Sequence, residues 1–215
     1  MSFGYIGDTS TSVKQQVKNK GILTTQESFD LERQGFLGGS LELIQEQTFS
    51  STVSLVDFTS IKENVYDVHF LQIENSGNVT DNRRLTCRLF ESGVLETASV
   101  YQIATQTGTG AGSFVEVKNT GIDEMRLCDN TGGNSTGEKA NSYAYFYNLG
   151  NSNKYSFMSF HSVVGNNVGS VSMEFGGGVL PQTSTVDGIR VLINDDSDFD
   201  SFSMKLYGIK QIWVT

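Results

Sequence analysis

Past residue 40 the sequence is written in steps of two. Over 83–91, Leu85, Cys87 and Leu89 alternate with Arg84, Thr86 and Arg88; over 170–175, Val171, Met173 and Phe175 alternate with Ser170, Ser172 and Glu174. Over 201–206, Phe202, Met204 and Leu206 alternate with Ser201, Ser203 and Lys205. Successive side chains of a strand point to opposite faces, so each of these segments is expected to have one dry and one wet face. The stretches Tyr66 to Ile73, Tyr143 to Tyr147, Tyr155 to Phe160 and Ile189 to Ile193 read as strands buried on both faces or covered by a partner. Weaker strand candidates lie at 41–49, 51–58, 98–105, 114–118 and 124–128. No helical pattern long enough for a parallel crossover intervenes, so roughly ten to twelve short strands must pair antiparallel. The expected fold is all-β, a two-sheet antiparallel β-sandwich of jelly-roll type.

The breaks between strands are turn clusters at Asn75 to Asn78, Gly108 to Gly112, Asn130 to Gly137, Gly150 to Asn153, Gly165 to Gly169 and Gly176 to Gly178. Twenty-three Gly against one Pro suits a chain of tight turns whose strands keep their ladder donors. With only 18% charged residues, the surface must be finished by Ser, Thr, Asn, Gln and Gly. Fourteen Phe and eight Tyr supply the bulk of a core.

Residues 1–40 form a separate N-terminal attachment segment, extended apart from one short helix, and 41–215 form the sandwich domain. Thr24 and Glu27 have the spacing of a capping box, and Gly35 suits the position after a helix end. A helix of about ten residues is too short to stand alone in water, so it must dock, and Phe29 and Leu31 are its expected docking residues.

The net charge of −9, without a basic run, argues against nucleic acid and against anionic membrane surfaces. No stretch approaches the ~20 apolar residues of a membrane span, so no membrane insertion is expected. Neither a basic n-region nor an apolar h-region follows Met1, so no signal peptide is expected and the protein is expected to be made in a cytoplasm. Cys87 and Cys128 are the two cysteines; Cys87 reads as a buried thiol, and whether the two pair stays open.

Candidate chemistry is sparse. Gly108 to Gly112 is glycine-rich, but a strand follows it where a phosphate-binding loop needs a helix, so it reads as a hairpin loop. Asp195, Asp196, Asp198 and Asp200 crowd one inter-strand loop and are the first candidates for a Ca²⁺ site, beside the plainer reading of a solvated hairpin. His69 and His161 sit inside strand patterns without ligand spacing, and no nucleophile or metal signature occurs, so no catalytic residues, and no cofactor beyond that Ca²⁺ candidate, are expected and the chain reads as a non-enzyme. Tyr143, Tyr145 and Tyr147 share one strand face, with Phe146 on the other, and read as core margin or subunit interface.

Two stretches resemble virion structural proteins of tailed bacteriophages, especially those of marine bacteria. Gly21 to Gly35 resembles a short module near the start of many phage fibre and surface proteins, and Ser203 to Lys210 is similar to the final strand of many phage-encoded sandwich domains. The opening Ser2 to Gly7 fits the same group. The resemblance implies a virion location and partners among other virion proteins. The implied role is a tail fibre or receptor-contacting protein, with a head decoration or head-fibre protein as the alternative. An N-terminal segment that docks and a sandwich that is displayed fit this division, with a homo-oligomer, preferably a trimer, hiding edge strands. The loops near 130–137 and 165–169 are expected to face outward. A carbohydrate-binding or polysaccharide-degrading domain is the rival, with a host-surface glycan as a partner.

Overall fold

The computed structural model describes residues 25, 26, 28, 29, 40–129, 131, 133, 135–165 and 170–210. Thr25, Gln26, Ser28 and Phe29 are helical, as the capping-box spacing predicts. Leu31, Gly35 and the rest of that helix lie outside the described residues. The chain divides into two units, 1–41 and 42–215.

The second unit is an antiparallel β-sandwich. Its strands in chain order are β1 (Leu41–Phe49, whose first residue belongs to the first unit), β2 (Leu55–Thr59), β3 (Val68–Asn78), β4 (Leu85–Glu91), β5 (Val94–Leu95), β6 (Tyr101–Thr109) and β7 (Phe114–Ile122). They continue as β8 (Met125–Cys128), β9 (Ala140–Tyr147), β10 (Ser156–Gly165), β11 (Val171–Leu180), β12 (Val186–Ile193) and β13 (Phe199–Ile209). The larger sheet runs β1-β13-β3-β9-β10-β11-β6-β7, and the smaller runs β2-β12-β4-β5 with β8 also paired to β4. The pairing is nested: β13 lies between β1 and β3 in one sheet, and β12 lies between β2 and β4 in the other.

The core lies between the sheets, where the period-2 rows of the sequence meet. Leu85, Cys87 and Leu89 from β4, Ile189 and Val191 from β12, Leu71 and Ile73 from β3, Phe146 from β9 and Met204 and Leu206 from β13 are all buried. Tyr101 is fully buried among them, and its hydroxyl accepts a hydrogen bond from the Leu89 N–H at 2.9 Å. Burial pushes that phenol far up, so it stays neutral.

Several expectations need correction. Asn75 to Asn78 is not a turn but the end of β3, where the register to β9 and β13 shifts; Asn75 takes the left-handed conformation (φ 52°) that a bulge requires. Gly176 to Gly178 is not a turn either. It runs straight through β11, between β10 and β6. At Gly176 a Cβ would run into the Ala104 carbonyl oxygen and lie 2.7 Å from Thr105 Cα, so glycine is required by close strand approach. Gly176→Ala should therefore cost about 3 kcal/mol of unfolding free energy through overpacking, measured by urea denaturation. A loss below about 1 kcal/mol would show that the strands can separate there.

Tyr155 to Phe160 is not buried on both faces within the chain: in β10, Phe157 is 44% exposed while Met158 and Phe160 are buried, and of the two alternatives only cover by a partner stays open. The largest departure is in β11. Its alternation is real, but the faces are reversed from the expected ones. Ser172 and Glu174 are buried, and Val171, Met173 and Phe175 are 53%, 44% and 43% exposed. The cause sits on the short strand β8, which packs across β6, β9, β10 and β11. Its Arg126 is itself only 5% exposed, and its Nη1 lies 3.5 Å from Glu174 Oε1 and 2.8 Å from Asp129 Oδ1. A buried guanidinium draws the β11 carboxylate inward, and that choice of face fixes the apolar alternates outside.

Cys87 and Cys128 are both buried, and no disulfide joins them. Burial pushes the Cys87 thiol strongly up, which keeps it protonated and unreactive. Iodoacetamide should leave it unmodified in the native protein and label it fully in denaturant, as read by intact mass; native labelling would overturn its assignment as an inert core residue.

Candidate functional site on the outer face of the large sheet

Strand register lays out the outer face residue by residue. One row crosses Tyr207, Phe70, Tyr145, Ser159, Gly177, Ala104 and Lys118 on β13, β3, β9, β10, β11, β6 and β7. The next row crosses Lys205, Gln72, Tyr143, His161, Phe175, Gln106 and Glu116. Beyond it lie Val163, Met173, Gly108 and Phe114, and on the other side Tyr147, Phe157, Val179 and Gln102.

The left half of this face is aromatic. Phe70 packs its ring 4.9 Å from Tyr145, 6.0 Å from Tyr207 and 6.1 Å from Tyr143; Tyr145 stacks on Tyr147 at 6.5 Å, and Tyr143 lies 5.7 Å from His161. These contacts half-bury the rings and lock them into a platform. The three tyrosines thus occupy one face, opposite the buried Phe146, as their spacing predicts. The right half is apolar: Val163, Val171, Met173, Phe175 and, at 71% exposure, Phe114.

Electrostatics sets this face apart. The chain carries 15 basic and 24 acidic residues, yet β6, β9, β10 and β11 together hold one charged residue, Glu174, and it points inward. Burial pushes its carboxyl up, against the opposing pulls of Thr105 and Arg126. Four adjacent strands therefore present an outer surface without a formal charge.

The other sequence candidates are placed differently. The acidic run does not close into a cation site: Asp195 Oδ2 accepts from Arg83 Nη1 at 2.7 Å, and Asp200 Oδ2 accepts from Lys139 Nζ at 2.6 Å. Asp195 and Asp196 instead supply the two left-handed residues (φ 56° and 54°) of the tight β12–β13 turn, a conformation Asp tolerates well. Among the described residues no group of three or more His, Cys, Asp or Glu is placed to hold a metal. His69 is buried and donates from Nε2 to the Ile61 carbonyl at 2.9 Å, and burial pushes its pKa down. His161 lies on the outer face within the aromatic platform. Phe29 is 57% exposed, whereas Leu31 lies outside the described residues. Of the loops expected to face outward, 130, 132, 134 and 166–169 also lie outside them.

Sequence reasoning found the tyrosines but missed Phe175, Met173, Val171 and Phe157, because alternation identifies two faces without saying which one is covered. The one available signal was the absence of charge from the four strands. No protein-family model, no curated protein and no solved structure matches this chain.

Proposed function

We propose that this protein is a non-enzymatic structural component of a bacteriophage virion, held by its N-terminal segment and displaying a jelly-roll sandwich that assembles through the outer face of its large sheet. The jelly-roll designation rests on the nested strand pairing, in which β13 and β12 each lie between an early and a later strand of the opposite half. The virion setting rests on the resemblance of Gly21 to Gly35 and Ser203 to Lys210 to phage structural proteins. The working surface rests on a single observation: Val171, Met173 and Phe175 face outward while Glu174 is buried.

These side chains are about half exposed, so full burial would return roughly 1 kcal/mol more from each. Contiguous exposed apolar surface marks an interaction site. Its lack of charge selects the partner. Two copies that each carry −9 repel through most of their surfaces, and a neutral patch is where they can meet. A closed homo-oligomer, with a trimer favoured, meets this requirement and would also cover the exposed edge strand β7. The test is the mass of the full chain in solution by light scattering. A multiple of 23.5 kDa is expected; a monomer at every concentration would remove the assembly reading.

A further inference from the structure

At the opposite end of β6, β10 and β11 from the apolar patch, the same face opens into a groove of about 880 Å³. This is within the usual range for small-molecule sites. Its lining includes Phe157, Gln102, Ala104, Gly177, Lys118 and Asn119. The floor is shallow because Ala104 and Gly177, paired across β6 and β11, have almost no side chain. Phe157 stands beside it, 44% exposed, and Tyr147 lies directly across the strand pair from Phe157. The rim is polar without being acidic. Gln102 borders it, and the Lys118 ammonium donates to Glu116 at 2.7 Å.

We propose that this groove binds a neutral oligosaccharide, with the Phe157 ring against the C–H face of a sugar and Gln102 and Lys118 on its hydroxyls. A sugar ring is a thin slab with apolar faces and hydroxylated edges, which matches a flat floor, one aromatic side and a polar rim. A protein segment would leave those rim groups imperfectly paired, at a cost in affinity. An acidic glycan would meet a molecule of net charge −9 through one lysine already neutralised by Glu116. The inference rests on the display reading above, since many copies on one particle convert weak single-site contacts into firm attachment.

The experiment titrates the full chain with panels of neutral and of acidic oligosaccharides, by calorimetry and by surface-immobilised glycans. Wild-type protein should bind a neutral series, with single-site dissociation constants of about 1 mM or tighter. Phe157→Ala should weaken this roughly tenfold by removing the ring contact. Ala104→Trp, a change at an exposed position, should fill the groove and abolish binding. Both variants should keep the wild-type melting temperature and solution mass. No neutral binding at millimolar concentration, binding confined to acidic glycans, or undiminished binding by Ala104→Trp would each overturn the assignment. Because the patch residues are different ones, a wild type that associates but binds no neutral glycan refutes the groove alone, and a monomeric wild type that binds refutes only the assembly surface.

Discussion

Replacing Arg126 by Ala should lower the unfolding free energy by about 3–5 kcal/mol at neutral pH. For a chain of this length that is a fall of roughly 10 °C in melting temperature. The loss comes from what is left behind. Glu174 is 1% exposed, and without the guanidinium its carboxylate has no compensating charge in the interior. Asp129, the other partner, is half-buried and keeps Arg84 at 3.2 Å, so its share is smaller. The sign of the pH dependence follows. Burial raises the Glu174 carboxyl above its ordinary 4.5, so the folded state takes up the proton more readily than the unfolded state. Its contribution to stability is best below the ordinary value and declines as pH climbs through the raised one. Removing Arg126 removes one opposing pull, so the penalty should be largest at neutral pH and shrink towards pH 4.5. The double variant Arg126→Met with Glu174→Met should recover most of the loss, because neither charge is then stranded. Urea denaturation at several pH values checks all three outcomes. A penalty independent of pH would mean that Arg126 acts by packing alone.

Placing charge on the apolar patch, as Met173→Glu with Phe175→Glu, should dissociate the assembly proposed above. Like charges brought face to face across an apolar contact cost several kcal/mol, and each 1.4 kcal/mol is a factor of ten. A dissociation constant raised by about a hundredfold or more is expected. The measured mass should then drop to 23.5 kDa at concentrations where the wild type remains associated. Both side chains are more than two-fifths exposed, so the monomer should stay folded and lose less stability than truncation of a core residue would cost. This separates the patch from the core: truncating buried Phe146 would unfold the domain, whereas charging Phe175 should leave circular dichroism unchanged and alter only mass. An unchanged oligomer in the double variant would place the assembly surface elsewhere, with the exposed edge strand β7 the next candidate.

Both experiments bear on one physical decision. Where the sequence offers alternating classes of residue, the chain must choose which class to bury, and in β4 and β13 it buries the apolar class. In β11 it buries Ser172 and Glu174. The local pattern is equally clear in all three strands. What differs is the layer facing them: β11 meets Arg126, a cation on β8 with almost no access to water. With Glu174 turned toward that cation, the alternation of the strand leaves Val171, Met173 and Phe175 on the outer face.

By itself, the sequence determined that residues past 40 form strands, that the strands pair antiparallel for want of crossover helices, and that Tyr143, Tyr145 and Tyr147 share a face. These follow from period and composition, which act over a few neighbouring residues. The tertiary structure alone decided that Asn75 to Asn78 and Gly176 to Gly178 continue strands, that the acidic run becomes a turn paired to Arg83 and Lys139, and that β11 shows its apolar side to the outside. Each of these depends on a group far away in the chain: the Ala104 carbonyl beside Gly176, Arg83 beside Asp195, Arg126 beside Glu174. Periodicity carries no information about such neighbours, because burial is a property of what lies opposite a residue and not of the residue alone.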